Sequence, residues 1–444
     1  MGNTYNYLKN VFLELKQESN QHSSLLALLL VLLSIPLSYA INSISLGLFV
    51  IITAVNFKKN NFKVELYLLL PVVLYLLMVL STFWSIDVDS TVKSLSRELP
   101  LLLIPLCFLV FRSFSLEQKQ KIIKYYSHGI LLFAFFYFIK ALVRFYFTND
   151  TSVFFYHELV TKDVNAIHVS VYVALAFFYF FTKSSKSFFD VLASVVLIAM
   201  VFLLSSKNII IVFIGLMVCF HLFYSKMSKR MRLKNLVVFI IFIFSLTFVS
   251  KIKERFEQEY KTIMTDSSVN DVISKGKDKV YNVSIKQAWT NTSFRPNDYF
   301  PGTAFRVYQF RIFLEMLQED AIFFTGYGLN ASYPKIAAKG LHYNLYLGDE
   351  TQGGYQTKNF HNQYIQNFAE LGIVGLLLLI SMLFINIKNA IKTKDFIHIS
   401  FAVLMISLFL TESFLWRQRG VIFFTIMYSL FNSKNIEISN KVEN

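Results

Sequence analysis

His361 stands in the stretch KNFHNQYIQNF, just ahead of a long apolar run. A histidine at a helix start can act as a general base near neutral pH, or it can do no more than cap that helix. Arg306 and Arg311 lie in AFRVYQFRIFLEML, which has the pattern of an amphipathic helix. Five helical residues turn through about 500°, leaving the two arginines about 140° apart, so they do not address one anionic group. Arg311 has Glu315 four residues on, the spacing of an ordinary helical ion pair. Arg306 meets Gln309 and Phe310 at the equivalent places and has no local acid. Lys207 sits between two apolar runs, where it can hold an anion or snorkel outward. Arg417 and Arg419, in TESFLWRQRG, face a similar choice between anion binding and headgroup anchorage. His168 falls inside an apolar run, where an imidazole must be paired or line a cavity. His342 reads as a solvated loop residue. A histidine and two or three cations brought together would suit group transfer, the cations stabilising an anionic leaving group and the histidine activating a hydroxyl.

The elements that must position these residues are membrane helices. Apolar residues make up 55% of the 444, aromatics 17% and charged residues 16%; a soluble domain has about 25% charged residues. That excludes disorder, collagen, a disulfide scaffold and an ordinary soluble enzyme. The formal charge of +15 is read as Lys and Arg in cytoplasmic loops facing anionic lipid, and not as a nucleic-acid surface. Cys107 and Cys219 both lie in apolar segments and do not suggest a disulfide. No phosphate-binding loop, dinucleotide fingerprint, HExxH, CxxC or GxSxG pattern is present, which argues against ATP-driven transport by this chain alone.

About twelve runs are long enough to span a bilayer, near 24–41, 43–57, 66–84, 98–112, 129–147, 166–182, 187–205, 208–224, 235–250, 371–387, 396–411 and 420–433. Ser38-Tyr39-Ala40 resembles a cleavage site, but Glu14 and Glu18 offset Lys9 and Lys16, so the first run is expected to be retained. With the N-terminus inside, the short inner loops hold seventeen Lys and Arg and the outer ones six. Both termini are therefore expected in the cytoplasm. Three regions follow: helices over 1–250, an outward segment over 251–362, and helices with a cytoplasmic tail over 363–444. Within the outward segment the sequence predicts a charged helix over 251–263, loop over 266–302, a helix over 303–319 and a turn at Gly326-Tyr327-Gly328. Trp84 and Trp416 read as interfacial belt residues.

The outward segment, with LLSSKNIII and STFWSIDVDS, resembles the O-antigen ligase and polymerase superfamily. The pattern is carried by Arg306 with Phe310, by Gly326 and Gly328, by His361-Asn362, and by Glu370-Leu371-Gly372 with Gly375. Phe310 stands where tryptophan is commoner. Ser206-Lys207 stands where the family tends to have Ser-Arg, which keeps the charge and loses the bidentate fork.

The resemblance implies an all-α polytopic protein of about twelve membrane helices with one large helical periplasmic loop, in the bacterial inner membrane. It implies glycan transfer from undecaprenyl pyrophosphate to the lipid A core at the periplasmic face, without metal or cofactor and with inversion. His361 would be the base, and Arg306 and Lys207 would bind the pyrophosphate. Asn362, His168, Arg417 and Arg419 are additional candidates. The close alternatives are an O-antigen polymerase and a protein O-oligosaccharyltransferase. A lipid-linked glycan flippase is more remote, because it would be expected to carry charges deep along several spans.

Overall fold

The computed structural model describes residues 2–58, 62, 64–161, 164–204, 206–225, 257, 260–261, 265–270, 273–274, 279–349 and 353–435. The expected span at 235–250 lies outside them, as does most of the charged helix expected at 251–263. The described chain is almost entirely helical, and its long apolar helices make it a membrane protein. Among the described residues four helices have the length and apolarity to cross a bilayer: Leu66–Phe83, Leu116–Thr148, Lys207–Tyr224 and Gln363–Thr393. Five further apolar helices are shorter.

At the centre lies the helix Ala166–Thr182, packed by Leu116–Thr148, Phe188–Leu203 and Phe396–Leu408. Every side chain from His168 to Phe178 is buried, as expected of a helix that is apolar on all sides. The last helix, Gln418–Asn432, is buried from Arg419 to Leu430 and packs on Pro100–Val110.

The connections sort to two ends. At one end His22 meets the carbonyl of Arg112, Lys119 that of Ser433, and Glu65 the backbone of Lys434. At the other, residues 279–349 and 353–362 form a cap with its own apolar core, built from Phe294, Phe300, Phe305, Tyr308, Phe313 and Phe360. Trp84 Nε1 donates to the Thr325 carbonyl at 2.8 Å, Thr91 Oγ1 to that of Leu329 at 2.7 Å, and Trp416 Nε1 to Asn330 Oδ1 at 2.8 Å. Both tryptophans thus fasten the cap to the bundle and are more than belt residues.

Residues 266–302 are not the plain loop expected. They hold three two-residue strands, β1 (Ser268–Val269), β2 (Tyr281–Asn282) and β3 (Asp298–Tyr299), with β1 antiparallel and β3 parallel to β2. Such strands are too short to show an alternating pattern. A short helix, Ile285–Thr290, begins at a capping box of Ser284 and Gln287. The helix expected over 303–319 is Gly302–Glu319, which we call α1, and its buried face supplies Phe305, Tyr308, Ile312 and Phe313.

The cap is locked to the helix Gln363–Thr393 (α2), which breaks at Gly372 with φ 66° and ψ −167°. The break frees backbone groups: Tyr327 N donates to Ala369 O at 2.8 Å, Gly328 N to Glu370 O at 2.9 Å, and Ile373 N to Phe323 O at 2.8 Å. A β-carbon at Gly372 would lie 2.1 Å from Phe324 O, and one at Gly326 2.3 Å from the Glu370 carbonyl carbon. The spaced glycines are therefore a place where two backbones touch. Gly372→Ala should detach this lock, costing about 1–3 kcal/mol for the left-handed conformation alone. Limited proteolysis should then cut the 320–335 segment faster. Gly215→Ala, whose added carbon meets nothing within 4 Å, should behave as wild type.

Candidate functional site

Three segments meet where the cap joins the bundle: the start of α1, the start of α2, and the connection 409–417 between the last two helices. Asn362, and not His361, caps α2, accepting from Tyr364 N at 3.0 Å and Ile365 N at 3.1 Å. Its amide nitrogen donates to the Leu410 carbonyl at 3.2 Å, and Gln363 N donates to that of Phe409 at 2.8 Å. Leu415 N in turn donates to Gln363 Oε1 at 2.7 Å. The connection is clasped to the helix start on both sides of Glu412.

His361 precedes the cap in the left-handed region, with φ 47°. A side chain with a β-carbon is strained there, and the strain is held by a 3.0 Å hydrogen bond from its N–H to Asn359 Oδ1. The imidazole, 32% exposed, sets its edge on Phe305 and brings Nδ1 to 3.4 Å from Glu412 Oε2. The other carboxylate oxygen takes Arg306 Nη2 at 2.9 Å. Arg306 Nε donates to the Thr411 carbonyl at 2.8 Å, and Nη1 to that of Gly302 at 3.0 Å. So Arg306 does have an acidic partner, 106 residues away in the chain. Three of its five N–H groups are engaged in these bonds, which fix the plane of the fork.

Glu412 is 8% exposed. Burial alone would push its carboxyl up, but the hydrogen bond from His361 and the charges of His361 and Arg306 outweigh that and hold it below its ordinary value of 4.5. The carboxylate is thus ionised throughout the neutral range. Facing Nδ1, it favours, in the neutral ring, the tautomer with hydrogen on Nδ1, which leaves the Nε2 lone pair for a substrate. Sequence reading passed over Glu412 while weighing the arginines beside it. The available signal was a lone acid in a short connection between two apolar helices.

Residues 192–380 match the family model described as O-Antigen ligase. The match supports the O-antigen ligase and polymerase superfamily for this region. A search of curated proteins finds no match to the chain. The O-antigen ligase region contains Lys207, Arg306, His361, Asn362 and the glycines of the lock, while Glu412 and His168 lie beyond it.

Lys207 begins the helix Lys207–Cys219 and is half-buried. The next residue, Asn208, donates to the Ser407 carbonyl at 2.8 Å and to Thr411 Oγ1 at 2.9 Å. That places the Lys207 helix start on the same connection that holds Arg306 and Glu412. His168 is 3% exposed, with its ring 4.3 Å from that of Phe414 and its Cε1 against Gly420. It underlies the connection as a packed side chain.

The outer arginines part company. Arg417 is exposed. Arg419 is 4% exposed, with its guanidinium 4.1 Å from the Tyr39 ring centre and bonded to the Leu37 carbonyl. The two side chains therefore do not share one environment. Arg311 bonds Glu315 at 3.0 Å, as the spacing predicts, and also Tyr343 Oη at 2.9 Å. His342 is exposed at the end of the helix Tyr333–His342.

Proposed function

We propose that this protein is an O-antigen ligase, moving a glycan from undecaprenyl pyrophosphate to the lipid A core at the periplasmic face of the inner membrane. The observation that carries the reading is the convergence of Arg306, from the middle of the outer segment, and His361, from its end, on one buried carboxylate. The full chain is read as about twelve spans with both termini cytoplasmic, and the 251–362 segment as the catalytic lid.

His361 Nε2 takes the proton from the acceptor hydroxyl as its oxygen attacks the anomeric carbon. The bond from that carbon to the pyrophosphate oxygen breaks on the opposite face, which inverts the centre. Glu412 stabilises the imidazolium that forms. Arg306, with the two N–H groups left on its fork, and Lys207 receive the charge that develops on the departing pyrophosphate. The reaction needs a base and fixed cations, and we assign no role to metal or nucleotide.

Deleting the gene and examining surface lipopolysaccharide tests the reading. The expected result is loss of the whole ladder, with lipid-linked polymer accumulating. A product with a single repeat would make the enzyme a polymerase. Unchanged lipopolysaccharide with altered glycoproteins would make it a protein-directed transferase.

A further inference from the structure

Glu370 and Gln366 take no part in the transfer just described, yet they are 4% and 2% exposed and bonded to each other. They lie one helical turn apart at the start of α2, so the spacing alone brings the two side chains together. The Gln366 amide nitrogen donates to Glu370 Oε1, which also receives Ser332 Oγ at 3.5 Å. Accepting that bond, the Glu370 oxygen holds the nitrogen of Gln366 toward itself and turns the amide oxygen away. That oxygen accepts from Phe360 N at 3.4 Å and from Ser413 Oγ at 3.3 Å. Phe360 is the residue before His361, and Ser413 the residue after Glu412. One amide therefore ties together the two backbone segments that carry the base and its carboxylate.

We propose that Gln366, oriented by Glu370, is the positioning residue that sets the distance between His361 and Glu412. The inference rests on the transfer reading above and adds residues to it. Neither side chain touches substrate. Without the amide, the bonds of Asn362 and Gln363 to the connection remain, but Phe360 and Ser413, the residues next to His361 and Glu412, lose their common anchor. A displacement of about 1 Å at reacting groups can cost on the order of 10²-fold in rate.

The test is steady-state transfer by the full-length protein, with kcat and the donor KM measured separately. Gln366→Met keeps length and burial but has no hydrogen-bonding groups. It should lower kcat by about 10- to 10²-fold and leave the donor KM within about twofold. Glu370→Gln still offers an amide oxygen to Gln366 and should keep at least about half of kcat. Glu370→Leu should behave like Gln366→Met. Should Gln366→Met fail to fold, Ser413→Ala removes only the link to the carboxylate side and should lower kcat a few-fold at unchanged KM. A Gln366→Met enzyme with wild-type kcat, or a loss confined to KM, overturns the proposal, as does a Glu370→Gln variant as poor as Glu370→Leu. Activity retained by His361→Gln would instead bring down the transfer reading itself.

Discussion

Arg306→Ala is expected to reduce transfer by on the order of 10²–10³-fold, while Arg311→Ala leaves it within a few-fold of wild type. The two arginines are neighbours on one helix with equal formal charge, so diffuse loop charge would make them equivalent. Their surroundings differ. Arg311 is spent on Glu315, Tyr343 and the backbone of Asn291, inside the cap. Arg306 is aimed at the junction with the bundle, held by Thr411 and Glu412. In the proposed transfer the departing pyrophosphate gains charge there, next to apolar surroundings, where a fixed cation is worth more than in water. Arg306→Lys should recover only part of the rate, because an ammonium cannot hold Thr411, Glu412 and two phosphate oxygens in one plane. Lys207→Arg should be tolerated and Lys207→Ala should not. The check is transfer from purified lipid-linked donor by matched amounts of each variant.

His361→Gln should lower kcat by about 10²–10⁴-fold, the usual contribution of a positioned base. The protein should still insert and bind donor lipid. Glu412→Gln should also be strongly impaired, by at least about tenfold, because the amide no longer stabilises the imidazolium. The pH dependence separates its two roles. The contacts that hold the Glu412 carboxyl below 4.5 favour the folded state while it is ionised. Their stabilisation is complete above that ordinary value and is lost only as pH falls through the lowered one. Thermal stability of the wild type should therefore not fall through this group between pH 8 and pH 5, whereas Glu412→Gln should lose stability across that whole range because Arg306 is left with an uncharged partner. Melting curves over that range read the difference directly.

Much of the site was legible because local spacing carries it. The Arg311–Glu315 pair and the helix bearing Arg306 follow from residues three and four apart, and the apolar runs announce the bundle. What was not legible depends on long separations. Glu412 meets its partners 51 and 106 residues away, so no local pattern could flag it. Arg419 left a choice between anion binding and headgroup anchorage, whereas folding places its guanidinium against Tyr39, 380 residues away in the chain. Trp84 looked like a belt residue because its partner, the Thr325 carbonyl, is 241 residues distant. The paired glycines were visible as a motif, but their reason, two backbones in contact, exists only in three dimensions.

The central claim is that this protein transfers a glycan from a polyprenyl pyrophosphate with His361 as the base. The most direct measurement reconstitutes the purified chain in liposomes with the lipid-linked donor and a lipid A core acceptor, with chelator present and no nucleotide. Wild type should release polyprenyl pyrophosphate in step with glycosylated acceptor, and His361→Gln should do neither. Transfer undiminished in His361→Gln, or donor moved across the bilayer by wild type with no bond broken, would contradict the account.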